Sequence, residues 1–216
     1  MDNFPFIKIM KSIDKVIVLI LLGGVFPLFF SITSVVLWFY FERKIENLWL
    51  YFIPGLATGL LINARYLNNW IRNRYLLPIW FIAGIYIFHN VCIYVMFFGV
   101  PVFNIFLGLI AGYYYSKRIV YLKIPVQNHT KIKSGVAFTT ALTIAIFCSI
   151  SGIIVMTTDS VGESLRQILR LKFEITKPMI LGVILAGGLT LAGLQYFLTK
   201  LTMSIIIKSS SVSDEF

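Results

Sequence analysis

One imidazole lies deep inside an apolar run. His89 sits in Ile85-Tyr-Ile-Phe-His-Asn-Val-Cys92, and no acid occurs anywhere between Glu46 and Asp159. Asn90 follows it, while Tyr86 and Cys92 stand three residues to either side and share its helical face. Polar groups within an apolar layer must face protein or a wet cavity. Two kinds of chemistry suit this group. One is hydrogen bonding to a small ligand, with His89, Asn90 and Tyr86 as polar contacts and aromatic rings as walls. The other is hydrogen bonding between helices, with Asn104 or Asn63 as the partner.

Other chemistry is poorly supplied. All nine acids fall outside or at the rim of the apolar runs. Proton relays, cation pathways and magnesium sites in membranes rest on buried carboxylates, so the pattern argues against all three. His129 is the only other histidine and no H-x-x-x-H spacing exists, so no metal site is expected. Cys92 and Cys148 lie in separate apolar runs, without a C-x-x-C pair. There is no G-x-S-x-G, no Walker A loop and no dinucleotide fingerprint, and no cofactor is expected. Movement of a solute at the expense of ATP would require a partner ATPase.

The elements that must position these residues are apolar helices. The chain has 216 residues, 58% hydrophobic and 13% charged, with mean hydropathy +0.86. Soluble domains carry about a quarter charged residues. One small core cannot hide this much apolar sequence, so lipid is the expected solvent. The fold expected is an all-α integral membrane protein: a single polytopic domain over 1–207, with about six transmembrane helices. These run at about 16–40, 48–66, 76–98, 102–116, 135–156 and 178–201. The first run follows a basic flank like a signal peptide but is too long for one, and reads as a retained anchor. At about 38 Å it exceeds the hydrocarbon layer, so it must tilt or bend, and Gly23, Gly24 and Pro27 mark the place. The uncharged turn Gly99-Val100-Pro101 implies an antiparallel hairpin of the third and fourth spans.

Glycines four apart recur in Gly55–Gly59 and Gly108–Gly112, each pair followed six residues on by arginine, Arg65 and Arg118. Such spacing lets another backbone approach closely. Ala141–Ala145 and Gly182–Ala186 make similar stripes, and internal packing is the expected use of all four pairs. Leu67 to Arg74 reads as a basic loop with Trp70 as an interfacial anchor. Lys117 to Lys133 reads as the most basic loop. Residues 160–173 combine a capping box, Ser160-Val-Gly-Glu163, with an apolar face, and predict a short amphipathic helix. Residues 208–216 have the composition of a disordered tail.

Six helices put both termini on one side. About two thirds of the 19 lysines and arginines fall on that side. The positive-inside rule then makes both termini cytoplasmic in the cell membrane, with Arg65, Arg72, Arg74, Lys117 and Arg118 at an anionic inner leaflet. The sequon Asn128-His129-Thr130 falls on the cytoplasmic side and is read as a chance match. The +10 charge, broken into clusters between apolar runs, points to lipid and not to nucleic acid. In size, helix count and orientation the chain resembles, in outline, the small substrate-binding subunits of energy-coupling vitamin transporters. Three readings follow: a small-molecule transporter or substrate-binding subunit; a structural or regulatory membrane subunit without substrate; and a membrane-embedded enzyme.

Overall fold

The computed structural model describes residues 5–41, 45–96, 100–158 and 175–213, with a few positions between 162 and 170. Most of the expected amphipathic helix, and part of the turn at 99–101, lie outside the described residues. Those described are all-helical, without strands. The helices are α1 (Pro5–Gly23), α2 (Val25–Phe41), α3 (Leu48–Arg72), α4 (Ile79–Met96), α5 (Ile105–Tyr121), α6 (Val126–Thr157) and α7 (Lys177–Ser213). Among the described residues, four segments are long and apolar enough to cross a membrane: Asp14–Phe41, Ile79–Met96, Val126–Thr157 and Lys177–Ser210. These four suggest a membrane location. The chain divides into two compact units, Met1–Cys92 and Ile93–Phe216.

In the first unit, α1 and α2 form one rod broken at Gly24. Pro27 explains the break. In an unbroken helix the Gly23 carbonyl would accept from the N–H of residue 27, which proline lacks. The neighbouring Gly24 N–H reaches the Ile20 carbonyl only at 3.4 Å. α3 then packs along the rod through residues four apart. A Cβ on Gly59 would lie 2.6 Å from the Pro27 Cα, and one on Gly55 would lie 2.7 Å from the Phe30 carbonyl oxygen. Two glycines thus admit a helix kinked by proline at backbone distance. Beyond them, Trp70 stacks on Phe26 at 5.2 Å and meets Phe81 edge-on at 5.0 Å.

In the second unit, α5 lies against α7 by the same device. The Gln195 side chain fills the notch at Gly108, and a Cβ on Gly112 would stand 3.0 Å from the Thr199 carbonyl oxygen. Along α6 and α7, Gly152 faces Ile184 and Gly188 faces Cys148. Tyr94, at the end of α4, donates to or accepts from Ser151 at 2.8 Å.

Several helices outrun their expected bounds. Leu67 to Arg72 is the end of α3 and not a loop, which puts Arg65 inside the helix. Nothing in Leu67-Asn-Asn-Trp-Ile-Arg breaks a helix; it stops at Asn73, whose N–H still reaches the Asn69 carbonyl, five residues before Pro78. The long basic loop shrinks to Leu122–Pro125. Lys123 adopts φ 49°, and the Ile124 N–H bonds the Ile119 carbonyl while the Lys123 N–H bonds that of Val120. This is a left-handed helix stop of the Schellman type, with proline next in sequence. Lys117 and Arg118 therefore ride on α5, while Lys131, Lys133 and the sequon ride on α6. The last helix runs to Ser213, beyond the bound at Leu201 and into the expected tail.

Candidate functional site

The break in the first rod gathers the polar residues of the first unit. Asn63 follows Gly55 and Gly59 on the buried face of α3. Its Nδ2 donates to the Gly23 carbonyl at 2.9 Å, replacing the N–H that Pro27 lacks. In an apolar layer such a carbonyl must find a partner within the protein. The asparagine amide is spent on that bond, and its Oδ1 is buried without a hydrogen bond. His89 reaches the same break from α4. Its Nδ1 is 2.9 Å from the Ile85 carbonyl, so this nitrogen carries the proton and donates. A Cβ on Gly24 would come 3.3 Å from the His89 Nε2, so glycine is what lets the ring in. The other ring nitrogen, Nε2, is buried without a hydrogen bond.

The other expected site residues divide. Asn90 is fully buried and donates to the Tyr86 carbonyl at 2.9 Å. The Tyr86 hydroxyl interacts with the Asn90 side chain but falls short of a hydrogen bond. Asn104 belongs to the second unit, buried at the end of the 3-10 turn that leads into α5. So the structure brings Asn63 and His89 to one point, sets Tyr86 about one turn from His89 with Asn90 bonded back to its carbonyl, and leaves Asn104 in the other unit. The packing residues divide too. Gly55, Gly59, Gly108 and Gly112 lie at close helix contacts. Ala141 and Ala145 are half-buried. Gly182 and Ala186 are exposed, and Gly182 has nothing within 4 Å of its Cβ position. The face of α7 that meets α6 lies two residues on, through Ile184 and Gly188, roughly opposite that stripe. Small residues surround this helix, so their spacing does not say which face packs. Arg65 and Arg72 are exposed, and Lys117 lies over the Tyr113 ring.

Two polar groups escape a reading of the sequence. Asp14 is not a solvent-facing rim acid. It is buried, accepts from Arg74 Nη2 at 2.8 Å, and takes a very short hydrogen bond from the Tyr75 hydroxyl. Burial, together with the bond to Asp14, pushes the Tyr75 phenol well above the usual tyrosine range. Burial works to lower the Arg74 pKa, but pairing with Tyr75 and Asp14 outweighs it and leaves the guanidinium held firmly charged. The signal was present: an acid opening an apolar run asks for a basic partner at the same depth.

The second group is fully interior to the second unit. Thr199 donates to the Gly108 carbonyl at 3.3 Å, shares a bond with Thr140 at 3.1 Å, and accepts from Gln195 Nε2 at 3.2 Å. Gln195 and Thr199 are four apart on α7, a spacing that the apolar residues around them conceal. Among the described residues no cluster of histidine, cysteine or acid could hold a metal ion. No family model, no curated protein and no solved structure matches this chain.

Proposed function

We propose that this chain is a multi-pass protein of the cell membrane, with six spans and cytoplasmic termini. On this reading it binds a neutral or anionic small molecule at the break in its first span, as a transporter or as the substrate-binding subunit of a transport complex. The observation that carries the reading is the break itself. Two helices send polar side chains to Gly23 and Gly24, and each side chain keeps a buried atom without a partner. Broken spans are where membrane proteins make backbone and side-chain groups available to solutes. A buried polar atom left unsatisfied calls for an occupant, whether water or ligand. One unused imidazole nitrogen and one amide oxygen, with no carboxylate beside them, suit a neutral hydrogen-bonding solute.

The six-span topology has support within each unit. Asp14, midway along α1, meets Arg74, just past the end of α3. In the second unit, Ser116 reaches the Met203 carbonyl and Lys133 reaches Ser204. The end of α5, the start of α6 and the late part of α7 therefore share one end, and their basic residues gather there. That is the pattern an anionic inner leaflet favours.

The test is thermal unfolding of the purified protein against a panel of neutral and anionic solutes. A solute that raises the melting temperature of the wild type should lose most of that effect in His89→Ala. Equal stabilisation of both proteins would put the site elsewhere. One observation favours the second reading, a membrane subunit without substrate. The stripe Gly182, Ala186, Thr190, Gly193 is exposed along α7, where another membrane helix could approach closely. Co-purification of a stoichiometric partner, lost on Gly182→Leu, would support that reading or the ATPase-coupled form of the first.

A further inference from the structure

Along the second half of α1, Asp14, Lys15 and Leu19, with Ile71 and Arg74, line an open cavity of about 490 Å³. It lies wholly within the first unit. We propose that this cavity holds the phosphate headgroup of an anionic phospholipid. The inference rests on the membrane placement proposed above and is independent of the solute site.

Charge and depth select the ligand. Asp14 and Lys15 directly precede the apolar run that begins at Val16, so on the membrane reading the cavity sits where that run meets the headgroup layer. The ion pair between Asp14 and Arg74 cancels its own charge. Among the described lining residues, Lys15, exposed beside it, adds one net positive charge. Leu19 and Ile71 supply apolar walls below the charged rim. An amphiphile with a single negative head and an apolar body matches that sequence of surfaces. A free anion would match only the rim.

The cavity is also held in shape. Arg74 is fixed three ways: Nη2 on Asp14, Nη1 on the Ile71 carbonyl at 3.1 Å, and its guanidinium 4.9 Å from the centre of the Tyr75 ring. Tyr75 holds the other oxygen of Asp14. The lining therefore costs little ordering when a headgroup arrives.

The experiment is native mass spectrometry of the full chain released from vesicles of mixed phosphatidylglycerol and phosphatidylcholine. The wild type should retain phosphatidylglycerol in preference. Lys15→Gln should weaken that retention about fivefold, the effect of one basic residue at an anionic surface. Lys131→Gln, an exposed basic residue of the other unit that lines no part of this cavity, should weaken it clearly less than Lys15→Gln. A large excess of inorganic phosphate should not displace the lipid. Equal retention of the two lipids, equal losses in both variants, or displacement by phosphate would each overturn the proposal alone. A chain that fails to enter vesicles would overturn the membrane placement with it.

Discussion

Asp14 accepts from Tyr75 and Arg74 where α1 and the α3–α4 connection meet, so three side chains tie two distant stretches together. The phenol has its pKa raised in the folded chain by burial and by the carboxylate. Its contribution to stability is therefore complete below the unfolded value of about 10 and is lost as pH rises beyond it. Tyr75→Phe removes a hydrogen bond to a charged group and should cost about 1.5–3 kcal/mol at neutral pH. The gap between the two proteins should narrow above about pH 10, because only the wild type has this phenol to ionise. Thermal unfolding across that range in detergent reads the difference. A gap that stays constant would mean that the phenol does not feel Asp14.

At the scale of elements, glycine means two different things in this chain. Gly59 meets Pro27 backbone on the first rod, and the kink cannot move away because proline holds it. Gly59→Ala should therefore destabilise the protein by about 1–3 kcal/mol, as overpacked sites do. Gly182 meets nothing. Gly182→Ala should stabilise α7 by up to about 1 kcal/mol through helix propensity alone. Denaturation of the two variants in the same detergent separates the cases, and a similar loss in both would mean that α7 packs there on a partner. The Asn63 bond belongs at this scale as well, because it exists only where Pro27 has orphaned a carbonyl.

At the scale of the whole molecule, orientation is the property most open to test. α5, α6 and α7 bring Lys117, Arg118, Lys131 and Lys133 towards one end of the second unit. A reporter fused after Phe216 should read as cytoplasmic, and so should one inserted at Leu122–Pro125, the short connection at that end. A C-terminal reporter that reads external would sink the six-span topology. At about 1.5 Å per residue, α7 is longer than a hydrocarbon layer is thick. Its basic late part, from Lys200, is the portion expected beyond the lipid.

The amino-acid sequence determined that this chain is helical, with runs long and apolar enough to cross a membrane, because that follows from composition and run length alone. It also determined the break in the first rod, since a proline four residues after a glycine removes a specific donor. It placed His89, Asn63 and the two glycine pairs on faces where packing or binding would use them. The tertiary structure decided which of these residues meet. Asn63 and His89 converge because α3 and α4 both reach the broken rod, whereas the small residues of α7 surround the helix and leave its packing face undetermined. The end of α3, the end of α5 and the start of α6 run past the apolar stretches into charged sequence, because charge does not by itself end a helix. Helices stop where hydrogen bonding is interrupted, at Asn73 and Lys123, and not where the lipid does. Asp14 was legible as a rim acid, but its burial depended on Arg74 and Tyr75, sixty residues away, and only folding brings those together.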